Sequence, residues 1–174
     1  YAIKERKVHT GEKLTLGQMR NIGMDLCDGS WIRPCWDDDD YYHQFQLAYQ
    51  MLFRRPGMAV LLSHQLRVDI DSATAYMHHQ AEGIPNTILF PRVAEHRFPD
   101  QQTGEDVTYW LRHWSFRSVV IDNDQYPYTS LSVAFYTERN ATRPEHFMNG
   151  RDQPEFHQRW ELGPDEVEHL KGLL

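Results

Sequence analysis

The sequence predicts an α+β protein in which N-terminal helices pack on an antiparallel β-sheet from the C-terminal half, with a short closing helix. Three observations lead to this prediction. Apolar residues recur at helical spacing before about residue 84, β-branched and aromatic residues concentrate between 107 and 138, and a helix start signal returns at Pro164. With 174 residues, 40% of them hydrophobic, the chain is long enough for one domain, 1–174, with its own core.

The first helix is predicted over residues 14–27. Thr15 and Gln18 have the spacing of a capping box, in which each side chain accepts a hydrogen bond from the backbone of the other residue. An apolar stripe of helical period follows. Residues 1–13 carry charge without an apolar core, so we expect a flexible start or an extended arm there.

Four consecutive aspartates, Asp37 to Asp40, precede a second helix that is predicted over residues 39–53. Carboxylates at a helix start accept amide hydrogen bonds and favour the positive end of the helix dipole, each by about 0.3 to 1 kcal/mol. The remaining charges repel one another, and a divalent cation held by Asp38 and Asp39, or a basic partner, would relieve this. Calcium loops instead space their acids around a glycine bend and end in a glutamate, so capping and solvated charge are favoured here.

A third helix is predicted over residues 72–81, where Asp71 and Ser72 can cap it. The preceding segment MAVLLSHQL, residues 58–66, fits either a short buried helix or a strand, and the helix is favoured. From Ile84 onward, frequent prolines indicate extended segments.

The C-terminal half is predicted to contain a long strand over 107–121 that pairs antiparallel with a returning strand over 128–138. Both segments are dense in β-branched and aromatic residues. The polar and aromatic segment 140–162 is expected to form an irregular arm. Pro164 suits the first position of a closing helix over 164–173.

The long predicted strand carries the main candidate binding surface. If it is extended, alternation puts two tryptophans, an arginine and a phenylalanine on one face: Trp110, Arg112, Trp114 and Phe116. Such a face fits a core, a protein-binding surface, or a platform that stacks the bases of a single-stranded nucleic acid. The core is favoured for the tryptophans, but a guanidinium must stay paired or hydrated, so we expect Arg112 to lie open to a partner. The predicted binding residues are Trp110, Arg112, Trp114, Arg117, Arg143 and Arg151.

Ten histidines suggest a metal or acid–base site, but their spacing gives little support. His78 and His79 are neighbours and would point about 100° apart on a helix. The sequence has no zinc, phosphate-loop or serine-hydrolase motif. A site assembled from distant residues stays open as an alternative, with a divalent metal ion held by Asp38, Asp39, His64, Asp69 and His78.

Charge and cysteine content restrict the class of protein. The net charge of −7 arises mostly in residues 36–106, so a protein that coats nucleic acid independently of sequence is disfavoured. No run approaches the roughly 18 to 20 apolar residues that cross a bilayer, and we expect a soluble protein without a membrane partner. Cys27 and Cys35 are too few for a disulfide framework, so free thiols and a cytoplasmic location are favoured over a disulfide or a metal pair.

These observations favour a non-enzymatic binding or adaptor module of an intracellular assembly, without a cofactor, that acts through an aromatic and arginine-rich surface. A protein partner is expected, and a single-stranded nucleic acid within a larger complex is the other partner considered. The alternative hypothesis is a metal-dependent hydrolase or nuclease that uses His and Asp residues of segment 64–79.

Overall fold

The computed structural model describes residues 11–36, 40–124, 131–136 and 159–172. Its α-helices are α1 (Leu16–Leu26), α2 (Gln46–Leu52), α3 (Glu105–His113) and α4 (Pro164–Lys171). Its strands are β1 (Trp31–Ile32), β2 (Tyr41–Tyr42), β3 (Ala59–Leu62), β4 (His64–Asp69), β5 (Thr74–His79), β6 (Phe90–Pro91), β7 (Ser118–Ile121), β8 (Ser132–Tyr136) and β9 (Arg159–Glu161). A 3₁₀ turn covers Pro85–Thr87. The predicted α+β class and the short closing helix are confirmed.

The main sheet is mixed and draws its strands from most of the chain. Its five strands lie in the order β2-β8-β4-β5-β9, and all neighbours are antiparallel except β4 and β8, which are parallel. Two smaller pairs accompany it, β3 with β7 in parallel and β1 with β6 in antiparallel orientation. Only Ser63 separates β3 from β4, so the parallel pair leads directly into the main sheet.

The largest apolar cluster lies where α1 and α3 meet β1, β3 and β6. Its buried members are Met24, Ile32, Ala59, Leu61, Ile88, Phe90, Phe98, Tyr109, Trp110 and Trp114. Beside it, Arg20 of α1 forms a buried ion pair with Glu105 of α3, with 2.8 Å between Nε and Oε1. Burial raises the pKa of Glu105 above its usual range, although the Arg20 charge opposes the shift.

The capping box of α1 is confirmed. The backbone amide of Gln18 donates to Thr15 Oγ1, and the backbone amide of Thr15 donates to Gln18 Oε1 at 3.0 Å. Both side chains also donate to the Asp100 carboxylate, at 2.6 and 2.8 Å. The start of α1 is thereby attached to the loop that leads to α3.

The prediction of helices over 58–66 and 72–81 is wrong. These segments form β3, β4 and β5, and β4 pairs with β5 as a hairpin over its whole length. The turn between them is held by Asp69, whose Oδ1 accepts hydrogen bonds from the backbone amides of Asp71 and Ser72. Cross-strand pairing therefore overrides the helical preference of the sequence.

The prediction of a strand over 107–121 is also wrong. Its first part belongs to α3, and its last four residues form β7, which pairs with β3 and not with β8. Within the predicted strand 128–138, residues 132–136 form β8, whose neighbours are β2 and β4. The expected antiparallel pairing of these two segments does not occur.

The second helix is shorter than predicted and does not begin at the aspartates. It starts at Gln46, and its cap residue Phe45 makes no side-chain hydrogen bond to the helix. Asp40 instead precedes β2, where its Oδ1 accepts a hydrogen bond from the backbone amide of Phe135 at 3.1 Å. Asp37, Asp38 and Asp39 lie outside the described residues.

Two other predictions fall mostly outside the described residues: most of the N-terminal arm and most of the segment 140–162. Within the described ranges, no helix combines the length and the apolar character that a membrane crossing requires.

Candidate functional site

The structure separates the predicted binding residues into a buried and an exposed group. Trp110 and Trp114 belong to the core, with 7% and 2% of their surface exposed. Arg112 and Arg117 are exposed. Arg143 and Arg151 lie outside the described residues. A helix produces this division because residues 110 and 114 are four apart and share one face, whereas residue 112 points away from it.

Arg112 and Arg117 meet at a cleft of about 300 Å³ at the C-terminal end of α3. We call it the α3 cleft, and it is lined by His96, Arg112, His113, Ser115, Phe116 and Arg117. Its volume lies at the lower end of the range of small-ligand sites. The last turn of α3 supplies two of these residues, the following turn supplies three, and the loop before α3 supplies His96.

Hydrogen bonds fix the turn that follows α3. The backbone amides of Trp114 and Ser115 both donate to Trp110 O, at 2.8 and 2.9 Å. The amide of Arg117 donates to Trp114 O at 2.8 Å, and Arg117 O accepts from the amide of Ala59 at the start of β3. This turn is therefore held at both ends, and it leaves Phe116 with 99% of its surface exposed.

His96 and His113 form a stacked pair beside the cleft. Their ring centroids are 4.1 Å apart with an interplanar angle of 19°. His96 also packs edge-on against Trp114, at 5.1 Å between centroids. The pair thus connects the cleft to the buried aromatic cluster under α3.

Burial lowers the pKa of both histidines below the usual range. For His96, the nearby Glu95 charge opposes this shift and Arg117 adds to it. For His113, the neighbouring His96 and Arg112 add to the shift, and the backbone carbonyl of Arg97 opposes it. Both rings are consequently neutral at pH 7, and the fixed positive charge of the cleft comes from the two arginines.

Arg112 and Arg117 differ from most arginines that the structure describes. Arg20 and Arg97 pair with carboxylates, and Arg54 donates to a backbone carbonyl. Within the described ranges, no carboxylate pairs with Arg112 or Arg117, and the described residues that line the cleft include no Asp or Glu. The negative end of the α3 dipole accounts for a cation at Arg112, but Arg117 lies beyond the helix.

The residues of the alternative metal hypothesis do not converge. Asp69 is five residues from His64 along β4, a separation of about 16 Å, so these two cannot bind one ion. Both Asp69 carboxylate oxygens also accept hydrogen bonds in the β4–β5 turn. In the part of the chain that the structure describes, no group of three or more His, Cys, Asp or Glu side chains could hold a metal ion.

A second polar cluster lies at the start of β4. Ser63 Oγ is 2.7 Å from His64 Nδ1, and Asp122 Oδ1 is 3.5 Å from the same nitrogen. A Ser-His-Asp triad requires the serine and the aspartate on opposite ring nitrogens. This cluster therefore lacks the geometry of a serine hydrolase, and the His64 ring instead stacks on His79 across the strands.

Sequence reasoning missed His96 and the position of Phe116. His96 reaches the cleft from a loop, so nothing in the local pattern connects it with Arg112. Phe116 was expected on the same face as the tryptophans, but α3 ends before it. Gly104, with φ of 69°, and the acidic pair Glu105 and Asp106 form a helix start signal that indicates α3.

Comparison with known proteins gives no relative for this chain. No family model matches it, and no curated protein or solved structure is significantly similar to it.

Proposed function

We propose that this protein is a non-enzymatic binding or adaptor module of an intracellular assembly, with the α3 cleft as its docking surface. The observation that carries the proposal is the fully exposed Phe116, which is held by a hydrogen-bonded turn between two arginines without carboxylate partners. Burial of a phenylalanine side chain is worth about 1.5 to 3 kcal/mol, and this gain is available only to a partner.

The chemistry of the surface supports a protein partner. Aromatic residues and arginine are enriched at protein interfaces and dominate their binding energy. Val107 and Leu111 extend the apolar surface along α3, since both are exposed and lie four residues apart. Free Cys27 and Cys35 are compatible with a reducing, cytoplasmic location.

Affinity purification with matched double variants tests the proposal. Arg112→Ala/Phe116→Ala removes the docking surface, and Arg55→Ala/Phe45→Ala removes another exposed arginine and another exposed phenylalanine that do not line the cleft. Both variants should keep a melting temperature close to that of the wild type because the four side chains are exposed. We expect the first variant to lose proteins that the wild type and the control both retain. An unchanged set of co-purifying proteins would contradict the proposal.

Metal analysis distinguishes this proposal from the metal-dependent hydrolase or nuclease. Protein purified without a polyhistidine tag should contain no stoichiometric divalent metal ion if it is an adaptor. Stoichiometric metal that is lost on changing His64 or His78 would favour the enzyme instead.

A further inference from the structure

We infer that the α3 cleft recognises a phosphorylated side chain of a partner protein, with Arg112 and Arg117 on the phosphate and Phe116 against the adjoining apolar group. The inference rests on the proposed function and names the chemistry of its ligand.

Charge complementarity favours a dianion. The cleft presents two guanidinium groups that lack carboxylate partners within the described ranges, and its histidines are neutral at pH 7. A phosphate monoester carries a charge of about −1.5 to −2 at pH 7 and matches two arginines, whereas a carboxylate would balance only one. The guanidinium fork also suits the phosphate oxygens, with which it forms paired, charge-assisted hydrogen bonds.

The other polar residues of the cleft contribute less to anion binding. Ser115 Oγ donates its proton to Leu111 O at 2.9 Å, so it has none to offer a phosphate. The His96 Nδ1 atom is buried and makes no hydrogen bond in the part of the chain that the structure describes. A proton on that atom would be unsatisfied, so the neutral ring carries its proton on Nε2. The two arginines therefore carry the recognition.

A single phosphorylated side chain fits the surface better than a nucleic acid does. A nucleic acid presents a phosphate at every nucleotide and requires a positive surface along its length. Here the cleft is small and the chain as a whole has a net charge of −7. One concentrated positive site on an acidic protein suits one anionic group with an apolar neighbour.

The test is an NMR titration of the ¹⁵N-labelled full chain with phenyl phosphate, which combines a phosphate monoester with an aromatic ring. We expect saturable shifts confined to the amides around His96 and residues 112–117. Arg112→Gln/Arg117→Gln should weaken binding by about tenfold or more per arginine, because each charged hydrogen bond that is lost contributes at least that factor. Arg55→Gln, an exposed arginine that does not line the cleft, should bind as the wild type does.

Three results would overturn the inference. Shifts that are absent, or that persist in the double variant, would show that the arginines hold no phosphate. Equal affinity for benzoate would show that a single carboxylate suffices, and tighter binding of an oligothymidylate at the same amides would assign the cleft to nucleic acid. The first two results leave the proposed protein docking intact, because that proposal depends on the affinity purification.

Discussion

At the scale of single residues, the start of α1 shows how one glycine can be required by a neighbour instead of by its own backbone. Gly17 lies in the first turn of α1, where its amide donates to Gln101 O at 3.0 Å. A Cβ atom at this position would lie 1.8 Å from Pro99 O, far inside any allowed contact. The absence of a side chain lets the helix start lie directly on the loop that carries Asp100.

Two glycine substitutions in α1 should therefore have opposite effects. Gly23 is exposed, and a Cβ atom there would meet no neighbouring atom within 4 Å, so Gly23→Ala should stabilise the protein by up to about 1 kcal/mol through helix propensity. Gly17→Ala should destabilise it, because the clash with Pro99 outweighs the same gain. Chemical denaturation of both variants measures the difference. Equal stabilisation by the two changes would show that α1 does not contact this loop as described.

The stacked histidines His96 and His113 predict an acid-sensitive fold. Their folded pKa values are lowered, so between those values and the ordinary value near 6.5 the unfolded chain binds more protons than the folded chain. Their contribution to stability is therefore complete above about pH 6.5 and declines as the pH falls below it. Glu105, whose pKa is raised, acts in the opposite direction over its own range.

Melting temperatures at pH 7.5 and 5.5 measure this effect. His96→Gln should reduce the loss of stability on acidification relative to the wild type. His169→Gln, which changes an exposed histidine of α4, should leave that loss unchanged. If His96→Gln had the same pH dependence as the wild type, the pair would not resist protonation in the folded state. His64, whose pKa burial also lowers, contributes a residual pH dependence in all three proteins.

At the scale of elements, α3 divides its residues between the core and the docking surface. Its buried face carries Tyr109 and Trp110, and Trp114 follows at the cap. Burial raises the pKa of Tyr109 to about 12, which reflects its position in the apolar cluster. Val107 and Leu111 lie on the exposed face.

Alanine substitutions on the two faces of α3 should have very different effects on stability. Trp114→Ala should cost about 3 to 5 kcal/mol, because it removes a large buried ring and leaves a cavity. Leu111→Ala should change the free energy of unfolding by no more than about 0.5 kcal/mol, because Leu111 is 55% exposed. Denaturant titration of both variants tests this division, and similar costs for the two changes would contradict it.

The same element shows which parts of the structure the sequence could predict. Local signals with a defined geometry predicted α1 and α4, through the Thr15–Gln18 capping box and Pro164 at the first helical position. Residues 107–116 alternate as a strand would, and their aromatic content favours a strand. The tertiary contacts of Trp110 and Trp114 with Phe90 and α1 favour a helix and override that preference.

The candidate site was predictable only where a single residue carried the argument. Arg112 was expected to be open because a guanidinium cannot be sealed in a core unpaired, and the structure exposes it. His96 could not be predicted, since the loop that carries it joins the cleft through packing against Trp114. Phe116 was assigned to the wrong environment because α3 was predicted to be a strand.

At the scale of the whole molecule, the topology places the cleft at the junction of the α3 layer and the sheets. The chain leaves α3, turns at Phe116 and enters β7, whose parallel pairing with β3 fixes the position of the turn. β3 continues through Ser63 into β4 of the five-stranded sheet. The docking surface is thus attached to the core through backbone hydrogen bonds, and its exposure follows from the fold.

Site-specific photocrosslinking tests the central claim, that the α3 cleft docks a partner protein, most directly. Phe116 and Phe45 are exposed phenylalanines, and each can be replaced in turn by benzoylphenylalanine in the full chain, in cells. The account predicts a discrete covalent adduct with a partner protein from position 116 that is lost on adding Arg112→Ala, and no such adduct from position 45. An adduct from position 45 alone, or none from position 116, would contradict the account.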